Sequence, residues 1–391
     1  MLIRRNTIHF AIVTIACIVF FIFPTSFNGE RYTSNQEIIS WSILSLGIIC
    51  LLMCNKINYK NCAVAFTLLV YMTITTLIAN TNIEYEISLA RIAPIICAIA
   101  LFTLQIKQTM TFRYFNIVLN IMCILIVIWN ILTLSNVQPV IDFVVRNYTQ
   151  FYDYATEWQL TVGKPIFTFG VHNVAGFFYM QIFLLCYYTY KNLNKKIYLL
   201  YMIVIFGFTL LLTSTTSFGY SLIMLSLFFL IIKKNRILMI IYLLLLLITF
   251  GFLINSALSE KYIEMLFSPT NGFIPRYIGN ETIFANNIEI LNNNILGIGF
   301  TIPRGTEQAY FGDSGIMVYF TMGNIFLPII LYYLFFRFIS INILPKYRNV
   351  LILTILLFEL SLPSFMYIKS LYLYMFLAFF YSSLGNSVAK K

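Results

Sequence analysis

Charge is what this sequence has least of. Only 10% of its 391 residues are Asp, Glu, Lys or Arg, and two are histidine. A water-soluble domain carries roughly a quarter charged residues, so a soluble globular fold is not expected. There is no nucleotide-binding P-loop, no H-E-x-x-H and no G-x-S-x-G, which argues against nucleotide-driven, zinc-hydrolase and serine-hydrolase chemistry. No basic stretch is interleaved with aromatics, so the net charge of +11 does not point to nucleic acid. Cys17, Cys50, Cys54, Cys62, Cys97, Cys123 and Cys186 lie in or beside apolar runs, outside the long polar loops. They read as small hydrophobes, with no disulfide framework and no metal site.

What is present is apolar sequence: 60% hydrophobic residues and a mean hydropathy of +0.86. A membrane-spanning helix needs about 20 mostly apolar residues. Such runs recur at roughly 8–24, 38–54, 62–79, 87–106, 114–134, 167–190, 197–213, 217–232, 237–255, 314–336, 349–363 and 366–385. The expectation is an all-α polytopic membrane protein of about twelve spans, a single integral membrane domain over 1–391. Arg4 and Arg5 precede the first run, but no small-x-small cleavage site follows Phe23-Pro24, so that run reads as a retained helix.

Charge sets the orientation. With the N-terminus inside, inward segments hold seventeen of the 25 basic residues, from Arg4 and Lys56 to Arg348 and Lys391. They hold no acid. Every Asp and Glu except Glu359 falls in an outward segment. The excess of Lys and Arg near inward helix ends places both termini in the cytoplasm. Two outward loops are long: 135–166, and 256–313 before the last three spans. In the second, Pro275 is positioned to open a helix, and Tyr277, Phe284, Ile288 and Leu291 recur at helical spacing. Amphipathic helices at the outer interface are expected there.

Ionisable groups within spans are costly and seldom accidental. Arg91 sits near the outer end of the fourth span, three residues before Pro94. Its planar fork of donors suits a phosphate or diphosphate; the plainer reading is an arginine that snorkels outward or pairs with Glu84. Glu359 is the one acid inside a span, near Pro363. It reads as a base, a partner for a cation, or a buried structural carboxylate. His172 and Asn173 open the sixth span, and His172 is either a proton carrier or simply hydrogen-bonded. Arg276 and Arg304 lie in the long loop, as anion ligands or as solvated charges. Gly297 and Gly299 form a G-x-G turn whose backbone N–H groups are candidates for an anion. Asp313 precedes Ser314 at the mouth of the tenth span, as general base or helix cap, and taken alone it favours the cap. As a set, all of these reach the outward side.

This order of pieces resembles the O-antigen and capsule polymerase (Wzy) family and the related O-antigen ligases. The resemblance lies in Arg276 through Gly297-Ile298-Gly299 to Asp313-Ser314-Gly315, and in the polar turn Leu212–Ser217. In many ligases and some polymerases that turn carries an arginine, and the later motif begins with His-Asn. This chain has neither, which favours polymerase over ligase. The resemblance implies a metal-independent glycosyltransferase without cofactor, in a bacterial cytoplasmic membrane. It would join undecaprenyl-diphosphate-linked oligosaccharide repeats at the outer face, for O-antigen, capsule or exopolysaccharide. Its partners would be the lipid-linked substrate, membrane lipid, a chain-length regulator and a flippase, with no nucleic acid. Arg91, Arg276 and Arg304 would hold the diphosphate. Asp313 or His172 would take the acceptor proton, supported by Asn173, Gly297, Gly299, Ser314 and Glu359. A lipid-linked oligosaccharide flippase and a ligase-type transferase are the alternatives.

Overall fold

The computed structural model describes residues 2–23, 27–28, 35–106, 110–148, 150–151, 153–232, 240, 242–248, 251, 289–304 and 314–389. These residues are mostly α-helical, with three two-stranded ladders. The expected ninth span is described at 240, 242–248 and 251, all helical. The expected helix after Pro275 lies outside the described residues up to its last turn, where 289–293 are helical. The chain packs as two compact units.

The first unit comprises Met1–Asn120, Arg146–Asp153 and Asn286–Lys391. It holds α1 (Leu2–Phe21), α2 (Asn35–Cys54), α3 (Tyr59–Ala79), α4 (Leu89–Phe102) and the start of α5 (Phe112–Leu134). Near the C-terminus it adds α11 (Gly315–Gly323), α12 (Phe326–Asn342), α13 (Pro345–Glu359) and α14 (Ile368–Ala389). Pro345 sits in the first turn of α13, where its missing N–H costs nothing. Asn58 caps α3 by accepting from Asn61 N–H at 3.2 Å. The core is aromatic. Phe102 meets Phe335, Phe338 and Phe365 at 5.2–5.6 Å, and α1 meets α14 through His9–Phe379 at 5.1 Å and Phe20–Phe376 at 5.4 Å.

The second unit comprises Ile121–Val145 and Tyr154–Ala285. The short amphipathic α6 (Gln138–Tyr148) and α7 (Asp153–Thr161) fill most of the loop expected at 135–166. Then come α8 (His172–Leu193), α9 (Lys196–Leu211) and α10 (Thr215–Ile232). Every residue of α8 from Val174 to Thr189 is buried, so it is the hub on which α9 and α10 pack. Phe228 of α10 meets Phe183 of α8 at 5.2 Å and Phe206 of α9 at 6.2 Å. A Cβ on Gly176 would lie 2.7 Å from Ser217 Oγ, so α10 approaches α8 only over a glycine. Asn194 ends α8 in the left-handed region at φ 53°, which asparagine tolerates better than most residues.

Among the described residues, two helices, α3 and α5, are long and apolar enough to cross a membrane; α4, α9, α12 and parts of α1, α2 and α10 are shorter apolar helices. On α3, Leu68, Met72, Thr75, Thr76 and Ala79 are buried, while Phe66, Val70, Ile74 and Leu77 are exposed. On α5, Ile117, Ile121, Ile124, Ile128 and Ile131 form an exposed stripe. The outer faces are therefore as apolar as the inner ones, the reverse of a helix that meets water.

Three differences from the sequence expectation bear on the site. The fourth run is helical only over α4, which continues through Pro94. The eleventh ends at Glu359, before Pro363. The tenth is not one helix: Asn324, at φ 48° and ψ −150°, separates α11 from α12. Backbone groups freed at that break find partners from another part of the chain.

The ladders are β1 (Phe27–Asn28) parallel to β5 (Gln150–Phe151), β2 (Lys56–Ile57) antiparallel to β4 (Leu104–Gln105), and β3 (Tyr85–Ile87) antiparallel to β6 (Thr301–Pro303). The second is locked by Asn342, whose Nδ2 donates to Leu104 O at 3.0 Å and Phe338 O at 2.9 Å, while its Oδ1 accepts from Ile106 N–H at 2.7 Å. Replacing Asn342 with Ala leaves buried backbone groups without partners and should cost about 2–4 kcal/mol. The check is the thermal midpoint of the detergent-solubilised protein, which should fall by several degrees. An unchanged midpoint would remove this role from Asn342.

Candidate functional site

The first polar centre lies in the first unit, where segment 294–304 lies against α3, α4 and α11. It descends from Asn294, whose Nδ2 donates to Tyr85 Oη at 3.1 Å. Burial raises the Tyr85 phenol above the ordinary tyrosine range, with the Asn294 bond acting in the opposite direction. Ile295 O accepts from Asn324 Nδ2 at 2.6 Å and Leu296 O from Tyr71 Oη at 2.9 Å. Gly297 N–H donates to Asn294 O, Ile298 N–H to Thr321 O, and Gly299 N–H to Met322 O at 2.7–3.0 Å. Phe300 N–H donates to Thr76 Oγ1 at 2.9 Å, and Thr301–Pro303 then pairs with β3. Ala79, Tyr85 and Ile298 form a small apolar core beneath.

Arg91 belongs to this centre. It is wholly buried, and its Nη1 donates to Thr301 O at 2.9 Å. The next turn of backbone, Ser88 N–H, donates to Phe300 O at 2.9 Å. Arg304 leaves the ladder on the surface, its N–H on Glu84 O at 2.7 Å and its side chain exposed.

The structure thus joins Arg91 to the G-x-G segment, far away in sequence. It gives the glycines a different task from the one expected. Their N–H groups are spent on carbonyls, not left for an anion. A Cβ on Gly297 would meet Met322 O at 2.6 Å, and one on Gly299 would meet Thr76 N at 2.5 Å. Both glycines have positive φ, 87° and 60°. The G-x-G is a close-packing turn against the end of α11.

The second centre surrounds Glu359, also wholly buried. Oε1 accepts from Ser364 N–H at 3.0 Å and from the Ser364 hydroxyl. Oε2 accepts from Tyr332 Oη at 3.1 Å, and Tyr319 Oη lies 3.5 Å from Oε1. Tyr374 Oη donates to Ser364 Oγ at 2.7 Å, and Phe365 N–H to Tyr319 Oη at 3.0 Å. The partners of Glu359 are tyrosine and serine hydroxyls and a backbone N–H, which fits the buried structural carboxylate among the sequence readings rather than a cation pair. Gly315 packs directly on this carboxyl, since a Cβ there would run into Oε2 and lie 2.8 Å from Pro363 Cα. Ser314 caps α11 by position without a side-chain bond, and its buried Oγ has no partner among the described residues.

His172 and Asn173 begin α8 in the second unit, both half-buried. Gln159 Oε1 accepts from His172 N–H at 2.8 Å and lies 3.0 Å from Nδ1, which fixes the ring. In the turn Leu212–Ser217, Ser214 Oγ accepts from Ser217 N–H at 3.1 Å and meets Ser217 Oγ at 2.6 Å, an ordinary helix start for α10. Asp313 and Arg276 lie outside the described residues. Among the described residues, no three His, Cys, Asp or Glu side chains gather as a metal site.

Sequence reasoning missed Tyr71, Thr76 and Asn324 at the first centre and Tyr319, Tyr332, Ser364 and Tyr374 at the second. One signal was available: Gly323-Asn324 inside an apolar run marks a helix break. The tyrosines gave none, because tyrosine abounds in this chain. Comparisons with protein-family models, curated proteins and solved structures gave no match.

Glu359→Ala would leave the donors from Tyr319, Tyr332 and Ser364 unpaired, and should destabilise the protein by about 3 kcal/mol. Glu359→Gln retains an acceptor and should retain most of that. Thermal midpoints in detergent decide; equal loss in both would mean that charge, not hydrogen bonding, holds the centre.

Proposed function

We propose that the chain is a polytopic membrane glycosyltransferase that polymerises lipid-diphosphate-linked oligosaccharide repeats at the outer face of a bacterial cytoplasmic membrane. Three features support the membrane reading and its orientation. The basic residues are one-sided. The outer faces of α3 and α5 are apolar. Each of the three ladders joins two segments that charge assigns to the same side: Lys56 with Gln105 inside, Phe27 with Gln150 and Tyr85 with Pro303 outside. A wrong assignment of any intervening span would put partners on opposite sides.

The observation that carries the enzymatic reading is the docking of the outward loop's return onto α3, α4 and α11. It delivers Arg304 to the surface at the outward end, with Glu359 buried in the same unit. A lipid diphosphate is already an activated leaving group, so such a site must supply position and charge stabilisation rather than a nucleotide. In this assignment Arg276 and Arg304 hold the diphosphate and Asp313 takes the proton of the acceptor hydroxyl. Arg91, buried against Thr301, holds the segment that carries Arg304. His172, held by Gln159, is not needed.

The runner-up is a flippase for the same lipid-linked substrate. It is favoured by the broken α11–α12 pair, since transporters use discontinuous helices. Here, however, the carbonyls freed at the break are taken by the N–H groups of Ile298 and Gly299 and by Tyr71 Oη rather than left to line a path.

The test is the surface-glycan ladder of a strain lacking this chain, read beside its lipid-linked pool. Single repeats on an intact anchor are expected. Full-length glycan on the lipid carrier would mean a ligase, and repeats trapped on the cytoplasmic leaflet a flippase. Complementation with Arg304→Ala or Arg276→Ala should shorten or abolish the ladder with normal membrane levels of protein; a normal ladder in both would remove the diphosphate assignment.

A further inference from the structure

We propose that residues 294–304 are a re-entrant strap that dips into the outer leaflet, plugs the break in the tenth span and is held there by Arg91 as a positioning residue. The inference rests on the membrane reading above.

Depth comes first. Tyr71 lies eight residues before Ala79, the outer end of α3, so it sits roughly 12 Å down the helix at 1.5 Å per residue. The apolar half-thickness of a bilayer is about 15 Å. Side chains lean toward the N-terminus of their helix, which for α3 is inward, so the Tyr71 ring does not reach back up. Yet Tyr71 Oη bonds both Leu296 O and Gly323 O, at 2.9 and 3.2 Å. The strap rises again by Phe300, bonded to Thr76, and by Thr301, level with β3. Its tip is therefore 295–297.

Backbone accounting agrees. Backbone within a bilayer must find its partners in protein. Five consecutive N–H groups, Gly297 to Thr301, each have a protein acceptor. The carbonyls of Asn294, Ile295, Leu296, Ile298, Phe300 and Thr301 each have a protein donor. Most of the segment's backbone groups are thus paired within the protein, which a water-covered loop does not require. The tip is also apolar where it is exposed: Ile295 is 77% exposed, beside exposed Leu296, Ile325 and Phe326. Arg91 closes the strap at its outer side by taking Thr301 O, and the next residues lead to Arg304.

The test compares two residues of equal exposure. Ile83, in the outward turn after α3, is 80% exposed and Ile295 is 77% exposed. In a variant lacking the seven native cysteines, Ile83→Cys should react with a membrane-impermeant maleimide on intact cells. Ile295→Cys should react at least about tenfold more slowly, because the reaction needs a hydrated thiolate, and should recover in detergent. Equal labelling of the two on intact cells would overturn the strap and leave the polymerase reading standing. Failure of Ile83→Cys to label would overturn the orientation, and both readings with it. Arg91→Met should release the strap and bring Ile295→Cys toward the Ile83→Cys rate, with partial rescue by Arg91→Lys. Tyr71→Phe serves as the milder variant should Arg91→Met fail to insert. If neither Arg91→Met nor Tyr71→Phe changed labelling in stably inserted protein, the positioning role would be lost.

Discussion

Helix ends leave carbonyls without partners, and where they are buried those partners must come from protein. At the end of α11 those of Thr321, Met322 and Gly323 are claimed by Ile298 N–H, Gly299 N–H and Tyr71 Oη. Much of the first unit follows from this exchange. For Ile298 and Gly299 to reach α11, the chain must come close enough that no side chain fits at 297 or 299, so both are glycine with positive φ. The same approach carries the chain up along Thr76 into the β3–β6 ladder, where Arg91 and Ser88 take the outer carbonyls. A loop far from α4 in sequence becomes part of one wall.

Glu359 extends the same logic to a side chain. A carboxyl buried among Phe335, Phe365 and Tyr374 survives only with its oxygens occupied, and serine, tyrosine and a backbone N–H occupy them. Pro363 ends the turn that brings Ser364 back onto Glu359, and Gly315 leaves room for the carboxyl beside α11. The end of α11 is thus fixed by hydrogen bonds to the strap, while Gly315 packs on Glu359 at its start and Tyr319 bonds that carboxyl. In the second unit the constraint is volume: α8 is buried on all sides, and Gly176 admits Ser217 of α10.

A lipid-linked glycan polymerase needs a cationic, water-reachable rim above a rigid floor. The two centres read as floor, being buried and hydrogen-bonded to themselves. In the proposed function the substrate contacts are assigned to exposed Arg304 and, on sequence alone, to Arg276 and Asp313. The division also explains why the strongest sequence candidate, Arg91, is better placed to hold the site than to touch substrate.

The sequence by itself determined that the protein is mostly helical and where many of the helices lie, and its charge pattern set the expectation of which side of a membrane each loop would occupy. These follow from local quantities: run length and the sign of charge near helix ends. It also singled out Arg91, Gly297, Gly299, Ser314 and Glu359 as unusual. It did not show what they do. That Gly297-Ile298-Gly299 completes a broken helix instead of cradling an anion depends on Met322 and Thr76 arriving at the same place. That Glu359 rests on Tyr319, Tyr332 and Ser364 depends on three helix ends meeting. Hydrogen-bond partners of buried groups are chosen by proximity in space, and only the tertiary structure decides that proximity.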